Sequence, residues 1–291
     1  MKCLKPILLQ KNVDRSLYPN GLEVPCGKCL ACRITKRRGW SLRMFHELHY
    51  HKDSSFVTLT YDDCNIPHSG SLIKSDLQKF FKRLRKISPN KIKYFACGEY
   101  GRKTHRPHYH TIIFGLGLKP EHKTLVMRSW NKCDWSNDAI RDGSFGLVEP
   151  ASINYVSGYI DDKLDGDLAH EVYTLSGREP VFRLSSNGIG ADYADEYADD
   201  IERNMYITQY GIKMSLPRYY MKRLGLKADA DHRDDYDCDL TSRRTGISNK
   251  FIDLYKAGDD SIFLYVDKEQ AARRQNERIL KQRIENKHSK L

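Results

Sequence analysis

The chain of 291 residues contains no apolar run of the roughly 18 residues or more that a membrane-crossing helix needs. Its first residues, Met1-Lys2-Cys3-Leu4-Lys5-Pro6, lack the long apolar stretch of a secretory signal. No Gly-x4-Gly-Lys-Ser/Thr pattern occurs, so no phosphate-cradling loop of a helicase motor is expected. Internal repeats are also missing. Acidic residues are scarce in one part of the chain only. Residues 1–110 hold 22 Lys and Arg against 8 Asp and Glu, whereas the remainder holds 27 against 30. A net charge of +11 placed so unevenly favours a polyanionic partner for the N-terminal part, with a merely solvated basic face as the alternative. Eight cysteines without a signal segment argue for reduced thiols or metal ligands in place of a disulfide framework.

Arg106 to Phe114 reads as a strand: it starts at a proline, is rich in β-branched and aromatic residues, and carries two histidines around one tyrosine. Residues two apart on a strand share a face, so His108 and His110 point together and can share a cation. Gly98-Glu99-Tyr100-Gly101 closes the preceding apolar run, and the short polar segment to Arg106 connects it back. A hairpin there lays Glu99 beside the histidines, giving two nitrogens and a carboxylate oxygen with positions left for water and a phosphate oxygen. Arg102, Lys103 and Arg106 add positive charge at the same place.

Cys26, Cys29 and Cys32 stand at threefold spacing before a helix reading from Ile34 to about Tyr50, and Cys3 can complete a tetrahedral structural zinc site. An iron–sulfur cluster and unligated thiols are the alternatives; for the former the familiar fourth cysteine is missing and Lys36 stands there. Ser55–Tyr61 alternates as a strand. Ser75-Asp76-Leu77-Gln78 has the pattern of a capping box, opening a helix with Leu77, Phe80, Phe81, Leu84 and Ile87 on one face. Lys82 and Arg83 are among the cations of its other face, a candidate guide for a phosphate backbone. Lys91–Cys97 and Ser144–Glu149 read as further strands. From Ala151 a helix is expected through Lys163, with Tyr155, Tyr159 and Lys163 at i, i+4 and i+8 along one face; Gly158 weakens it. Asp161 and Asp162 sit beside Lys163. Asp192–Glu202 and Asp229–Asp239 are acidic, Leu216–Arg223 is basic and aromatic, and from Lys268 a solvated helix fades into a frayed tail.

The order Thr58-Leu59-Thr60-Tyr61, His108-Tyr109-His110, then Tyr and Lys one turn apart resembles the three motifs of HUH endonucleases. The finer resemblance is to the replication initiators of gokushovirus-like Microviridae phages. It rests on Pro25-Cys26-Gly27-Lys28-Cys29, Gly98-Glu99-Tyr100-Gly101 with Arg106–His110, and Tyr155-Val156-Ser157-Gly158-Tyr159. It covers residues 25–163 well; past 190 only Pro217-Arg218-Tyr219-Tyr220 looks familiar. The family implies an α+β fold: a central antiparallel sheet with the histidine strand in its centre, flanked by helices. To this we add an N-terminal Cys-rich element and a mostly helical C-terminal extension. The expected divisions are 1–50 (Cys-rich, basic, helical), 51–190 (nicking domain) and 191–291 (helical extension with a charged tail).

The resemblance also implies a reaction. Mg²⁺ or Mn²⁺ on His108, His110 and Glu99 polarises a phosphate of single-stranded origin DNA. Tyr159 attacks first and Tyr155 second, with Lys163 assisting. A 5′-phosphotyrosyl enzyme and a free 3′-OH for a host polymerase result, with unwinding by a host helicase in the bacterial cytoplasm. Two rivals stay open: a metal-dependent nuclease using water, and a basic zinc-containing nucleic-acid-binding protein without catalysis.

Overall fold

The structure, a computed structural model, describes residues 3, 5–16, 19–101, 104–160, 173 and 175–226. Two compact units divide the described residues, one reaching to Thr35 and the other spanning Lys36–Leu226. In the first, β1 (Ile7–Leu9) pairs antiparallel with β2 (Leu22–Val24). The helix α1 (Leu30–His49) begins there and continues into the second unit.

The second unit is built on a five-stranded sheet in which every pairing is antiparallel. Its strands are β3 (Ser54–Thr60), β4 (Lys93–Tyr100), β5 (Pro107–Phe114), β6 (Phe145–Gly146) and β7 (Phe182–Ser185), in the order β6-β3-β5-β4-β7. The α+β fold with the histidine strand at the centre of the sheet is as expected. β3 alternates buried and half-buried residues, as a strand with one covered face does. β4 and β5 are buried almost throughout, because both faces of the centre are covered.

One face carries Val57, Leu59, Tyr94, Ala96, Tyr109 and Ile113. Against it pack Leu77, Phe80, Phe81 and Leu84 of α2 (Lys74–Ile87) and Val126 of α3 (Pro120–Ser129). These α2 residues recur at helical spacing, so one apolar stripe meets the sheet and the cations face outward. The opposite face carries Phe95, Cys97, Ile112 and Phe114 beneath Met44 of α1 and Ile153 and Val156 of α5 (Pro150–Gly158). The remaining elements are α4 (Asp138–Gly143), α6 (Ala191–Glu196), α7 (Ala198–Asn204), the hairpin β8 (Tyr206–Gln209)–β9 (Ile212–Ser215), and α8 (Arg218–Arg223).

Several local expectations shift. α2 starts at Lys74 with Ile73 as N-cap and no side-chain cap bond, so Ser75 lies inside the first turn and the capping-box pattern goes unused. β4 extends to Tyr100 where an end at Cys97 was expected. α5 starts at Pro150, whose fixed φ suits a first turn, and ends at Gly158 instead of running to Lys163. Past residue 190 the described residues include a hairpin as well as helices, while the acidic stretch at 229–239 and the tail from Lys268 lie outside them.

Tyr109, on the strand between the two histidines, is fully buried on the α2 side. Its hydroxyl lies 2.8 Å from the Tyr61 hydroxyl, donates to the Ile73 carbonyl (3.1 Å) and accepts from the Ile73 amide (2.9 Å). On the other side, α1 is tied to the sheet by Glu47, which is wholly buried. Its carboxylate accepts from Lys93 Nζ at 2.8 Å, His51 Nε2 at 2.6 Å and the Gly190 amide at 2.7 Å. Gly190 has φ +73°, and a Cβ there would collide with the Tyr220 hydroxyl and the Arg43 backbone.

Burial pushes the Glu47 carboxyl pKa upward, yet the bonds from His51, Lys93 and Gly190 outweigh it and hold it below the ordinary carboxylate range. Its stabilising contribution is therefore complete at neutral pH and disappears as pH falls through the lowered folded-state pKa. Glu47→Gln should lower stability by about 3 kcal/mol at pH 7, because Lys93 is left buried with a weakened partner. Denaturant midpoints should show that difference shrinking toward acid pH. A gap unchanged down to strongly acid pH would show that the carboxylate charge is not what counts.

Candidate metal and tyrosine site

The antiparallel register of β4 and β5 sets Glu99 directly opposite His108 and Cys97 opposite His110. Glu99, His108 and His110 consequently share the face covered by α1 and α5. Glu99 Oε1 is 2.7 Å from His108 Nε2 and 2.8 Å from His110 Nε2, and one potential ligand atom from each lies within 4.8 Å of the others. Both second ring nitrogens are engaged. His108 Nδ1 lies 3.1 Å from the Arg106 carbonyl, and His110 Nδ1 lies 3.0 Å from the Thr58 hydroxyl across the β3–β5 pairing. An imidazole whose Nδ1 is held in this way presents Nε2 to the site, as a metal-ligating histidine does.

Burial pushes the Glu99 pKa up, but the hydrogen bonds from His108 and His110 prevail and hold it down to about 2. Burial lowers the His108 pKa, and the Glu99 carboxylate with the Arg106 carbonyl overcomes it, so the net direction is upward. In His110 burial wins and the direction is downward. The trio therefore binds protons between a carboxylate and two imidazoles, the positions a divalent cation would take over. One oxygen and two nitrogens, convergent and supported from behind, fit Mg²⁺ or Mn²⁺ with coordination positions left for water or substrate.

α5 brings the tyrosines to this cluster. Ile153 and Val156 anchor the helix on the sheet, which turns Tyr155 toward His110: its hydroxyl is 3.4 Å from His110 Nε2. Tyr159 occupies the C-cap of α5 in helical conformation, so the one-turn spacing survives the early end of the helix. Its hydroxyl donates to Glu99 Oε1 at 2.9 Å. The two rings stand edge to face at 5.3 Å. Burial first, then the Glu99 carboxylate and Tyr155, push the Tyr159 pKa well above the ordinary phenol value. A phenolate at Tyr159 thus requires added positive charge nearby.

The other candidates are placed unequally. Lys163, Arg102, Lys103, Asp161 and Asp162 lie outside the described residues. The Arg106 guanidinium is engaged by Asp63 at 2.7 Å and by the Tyr61 carbonyl at 2.7 Å. Lys82 and Arg83 are on α2, across the sheet from the histidines, and Arg83 Nε donates to the Ser129 carbonyl at 2.8 Å. Thr58 belonged to a sequence motif, but its hydroxyl contact emerges only from the pairing of β3 with β5. That pairing joins residues 52 apart in sequence, so no local pattern announces it.

In the N-terminal unit, Cys3, Cys26, Cys29 and Cys32 place their sulfurs within 4.8 Å of one another. The Cys26 amide donates to Cys3 Sγ and the Cys29 amide to Cys26 Sγ, both at 3.3 Å. Backbone amides of Cys29 and then Lys28 draw the Cys26 pKa down to about 6, against a small opposing effect of burial. Four sulfurs with amide support suit a closed tetrahedral zinc site.

Two measurements check these sites. Thr58→Val should weaken Mn²⁺ binding by about 10-fold or more, because valine cannot hold His110 Nδ1 in either tautomer; an unchanged Mn²⁺ titration would remove Thr58 from the site. Purified protein should carry about one zinc that survives Mg²⁺ exchange, and freely titratable native thiols without zinc would exclude the cluster.

Comparisons with known proteins agree on one family. The family model for the replication-associated protein ORF2 matches residues 54–164, which include Thr58, Glu99, both histidines and both tyrosines. Replication-associated protein ORF2 of Spiroplasma virus 4 is 31% identical over 262 residues, covering 77% of this chain and 80% of its own. Replication-associated protein VP4 of Bdellovibrio phage phiMH2K is 29% identical over 247 residues, 76% of each chain. Replication-associated protein ORF4 of Chlamydia phage 1 is 26% identical over 226 residues, 73% of this chain and 56% of its own. No solved structure matches. With that identity and coverage, the chain belongs to the ORF2 family of replication-associated proteins of microvirid phages.

Proposed function

We propose that this protein initiates rolling-circle replication by nicking single-stranded origin DNA with a tyrosine and later rejoining the strand. The observation that carries the reading is convergence: two tyrosine hydroxyls reach the atoms that would hold a cation, Tyr159 on Glu99 and Tyr155 on His110. A bound Mg²⁺ or Mn²⁺ would neutralise charge on the scissile phosphate. Glu99, His108 and His110 orient that charge toward the tyrosines, with Thr58 and the Arg106 carbonyl fixing the rings.

Tyr159 is assigned the first attack, since its hydroxyl is hydrogen-bonded at the cluster and partly shielded; Tyr155 is 43% exposed and stands farther off. The phenolic oxygen forms a bond to phosphorus, the bond from phosphorus to the 3′ oxygen breaks, and the phenol's proton is lost while the 3′ oxygen gains one. A 5′-phosphotyrosine and a free 3′-OH remain, and the ester keeps the energy needed to rejoin the strand. Tyr155, one turn away, is assigned the second cleavage, after which a 3′-OH attacks the first ester and releases a circle. Lys163 is assigned to phosphate binding. We assign the nicking domain to residues 51–190, and take a host helicase and polymerase as partners.

Incubation with the viral origin strand and Mn²⁺, followed by denaturing electrophoresis and mass spectrometry, tests this. Tyr159→Phe should lose initial nicking by at least ~10³-fold. Tyr155→Phe should nick but fail to release circles. The double variant should form no adduct, and His108→Ala should abolish cleavage while retaining salt-sensitive DNA binding. An adduct on Tyr155 alone reverses the two roles. Cleavage with no adduct means water is the nucleophile, and binding without cleavage leaves a non-catalytic DNA-binding protein.

A further inference from the structure

The second unit has a groove of about 1090 Å³ at the β7 edge of the sheet, separate from the residues of the tyrosine site. Six cations line it, Arg43, Arg85, Lys91, Lys93, Arg183 and Arg223, and no carboxylate does. Two of the six are already neutralised: Lys93 by Glu47 and Asp192, and Arg223 by Asp195. The other four have no carboxylate partner among the described residues.

Arg43 and Arg183 are the unusual pair. The Arg43 guanidinium lies 4.0 Å from the Trp40 ring centre and 3.9 Å from that of Tyr219, and its Nε donates to the Ile189 carbonyl. The Arg183 guanidinium lies 4.3 Å from the Trp40 ring centre and has no hydrogen-bond acceptor among the described residues. Aromatic rings cover the faces of these guanidiniums and leave in-plane N–H groups to bind an anion. Cations so removed from water without a counter-ion are costly, and burial lowers the pKa of both. A phosphate would repay that cost, since guanidinium edges match its oxygens.

The placement selects which phosphate. In the strand register Arg183 lies opposite Cys97, and Cys97 lies opposite His110. Arg183 and His110 therefore share one row on one face of the sheet, two inter-strand spacings apart, or roughly 10 Å. From Arg183 the groove runs along β7 toward Lys91 and Asn90, away from the tyrosines. A single strand whose scissile phosphate lies at His110 would have its flank at Arg183 and onward over Arg85 and Lys91.

We propose that this groove binds the sugar–phosphate backbone of single-stranded DNA flanking the nicking position, with Arg183 and Arg43, stacked on Trp40, gripping the first flanking phosphates. The proposal rests on the nicking function above for its orientation, and adds a length-dependent anchor that no motif of the sequence marks.

Fluorescence anisotropy with oligothymidylates of about 6 and about 14 nucleotides, in chelator so that the metal site is silent, tests it. The longer strand should bind at least ~10-fold more tightly to the unaltered full chain, and its log K against log salt slope should be steeper. Arg183→Gln should remove most of that gain. Lys91→Gln, at an exposed position where folding is not at stake, should reduce the salt slope by about 0.7. Unchanged length dependence in both variants overturns the proposal, as does no gain for the longer strand on the unaltered chain. Loss of the gain in low-millimolar inorganic phosphate would identify a free-phosphate site and overturn it too. If the unaltered chain shows the gain but forms no covalent adduct with origin DNA and Mn²⁺, the nicking function fails while the groove stands.

Discussion

One carboxylate oxygen organises the candidate site. Glu99 Oε1 accepts from His108, His110 and Tyr159 at once, and so binds two strands of the sheet to the end of a helix. Apolar packing brings α5 near the sheet through Ile153 and Val156, but packing alone does not aim a phenol. The shared acceptor does. The same oxygen explains the electrostatics: one anion serves two imidazoles, so His108 gains proton affinity from it while the more deeply buried His110 does not gain enough to offset burial.

The two metal-like clusters of the chain differ in ligand chemistry in a way that keeps their ions apart. Cys3, Cys26, Cys29 and Cys32 offer four polarisable sulfurs and a closed shell, which favours zinc. Glu99, His108 and His110 offer one oxygen and two nitrogens and leave positions open. A protein that must retain one ion for folding and exchange another during reaction gains from such unlike donors, because neither site competes well for the other's metal.

Much of this was legible in the sequence, and the boundary of legibility follows the range of the interactions. Alternation along one strand was enough to put His108 and His110 on one face, and a short connection was enough to bring Glu99 beside them. The four-cysteine cluster followed from ligand count and spacing. What the sequence did not reveal lies at longer range or in competition between local signals. Thr58 meets His110 only after β3 docks beside β5. Arg106, counted as charge for a substrate, is consumed by Asp63 and the Tyr61 carbonyl. Lys82 and Arg83 share the charge of the N-terminal part but fall on the opposite side of the sheet. Trp40, Arg43 and Arg183 come from a helix and a strand about 140 residues apart, and nothing in either segment signals the stack. At Gly158 a helix-weakening residue did end the helix, while the pattern of tyrosines persisted through the C-cap.

The burial of Tyr109 bears on how the strand is held in place. A sheet strand can slide by one residue at little cost in backbone bonding, but each such step exchanges its two faces. On β5 that step would turn both imidazoles into the α2 core and swing an aromatic ring into the metal site. The Tyr109 hydroxyl, held by Tyr61 and by both backbone groups of Ile73, has those partners in one alignment only. The residue between the histidines, which touches neither metal ligand nor substrate, thus acts as the detent that fixes which side of the sheet is chemical.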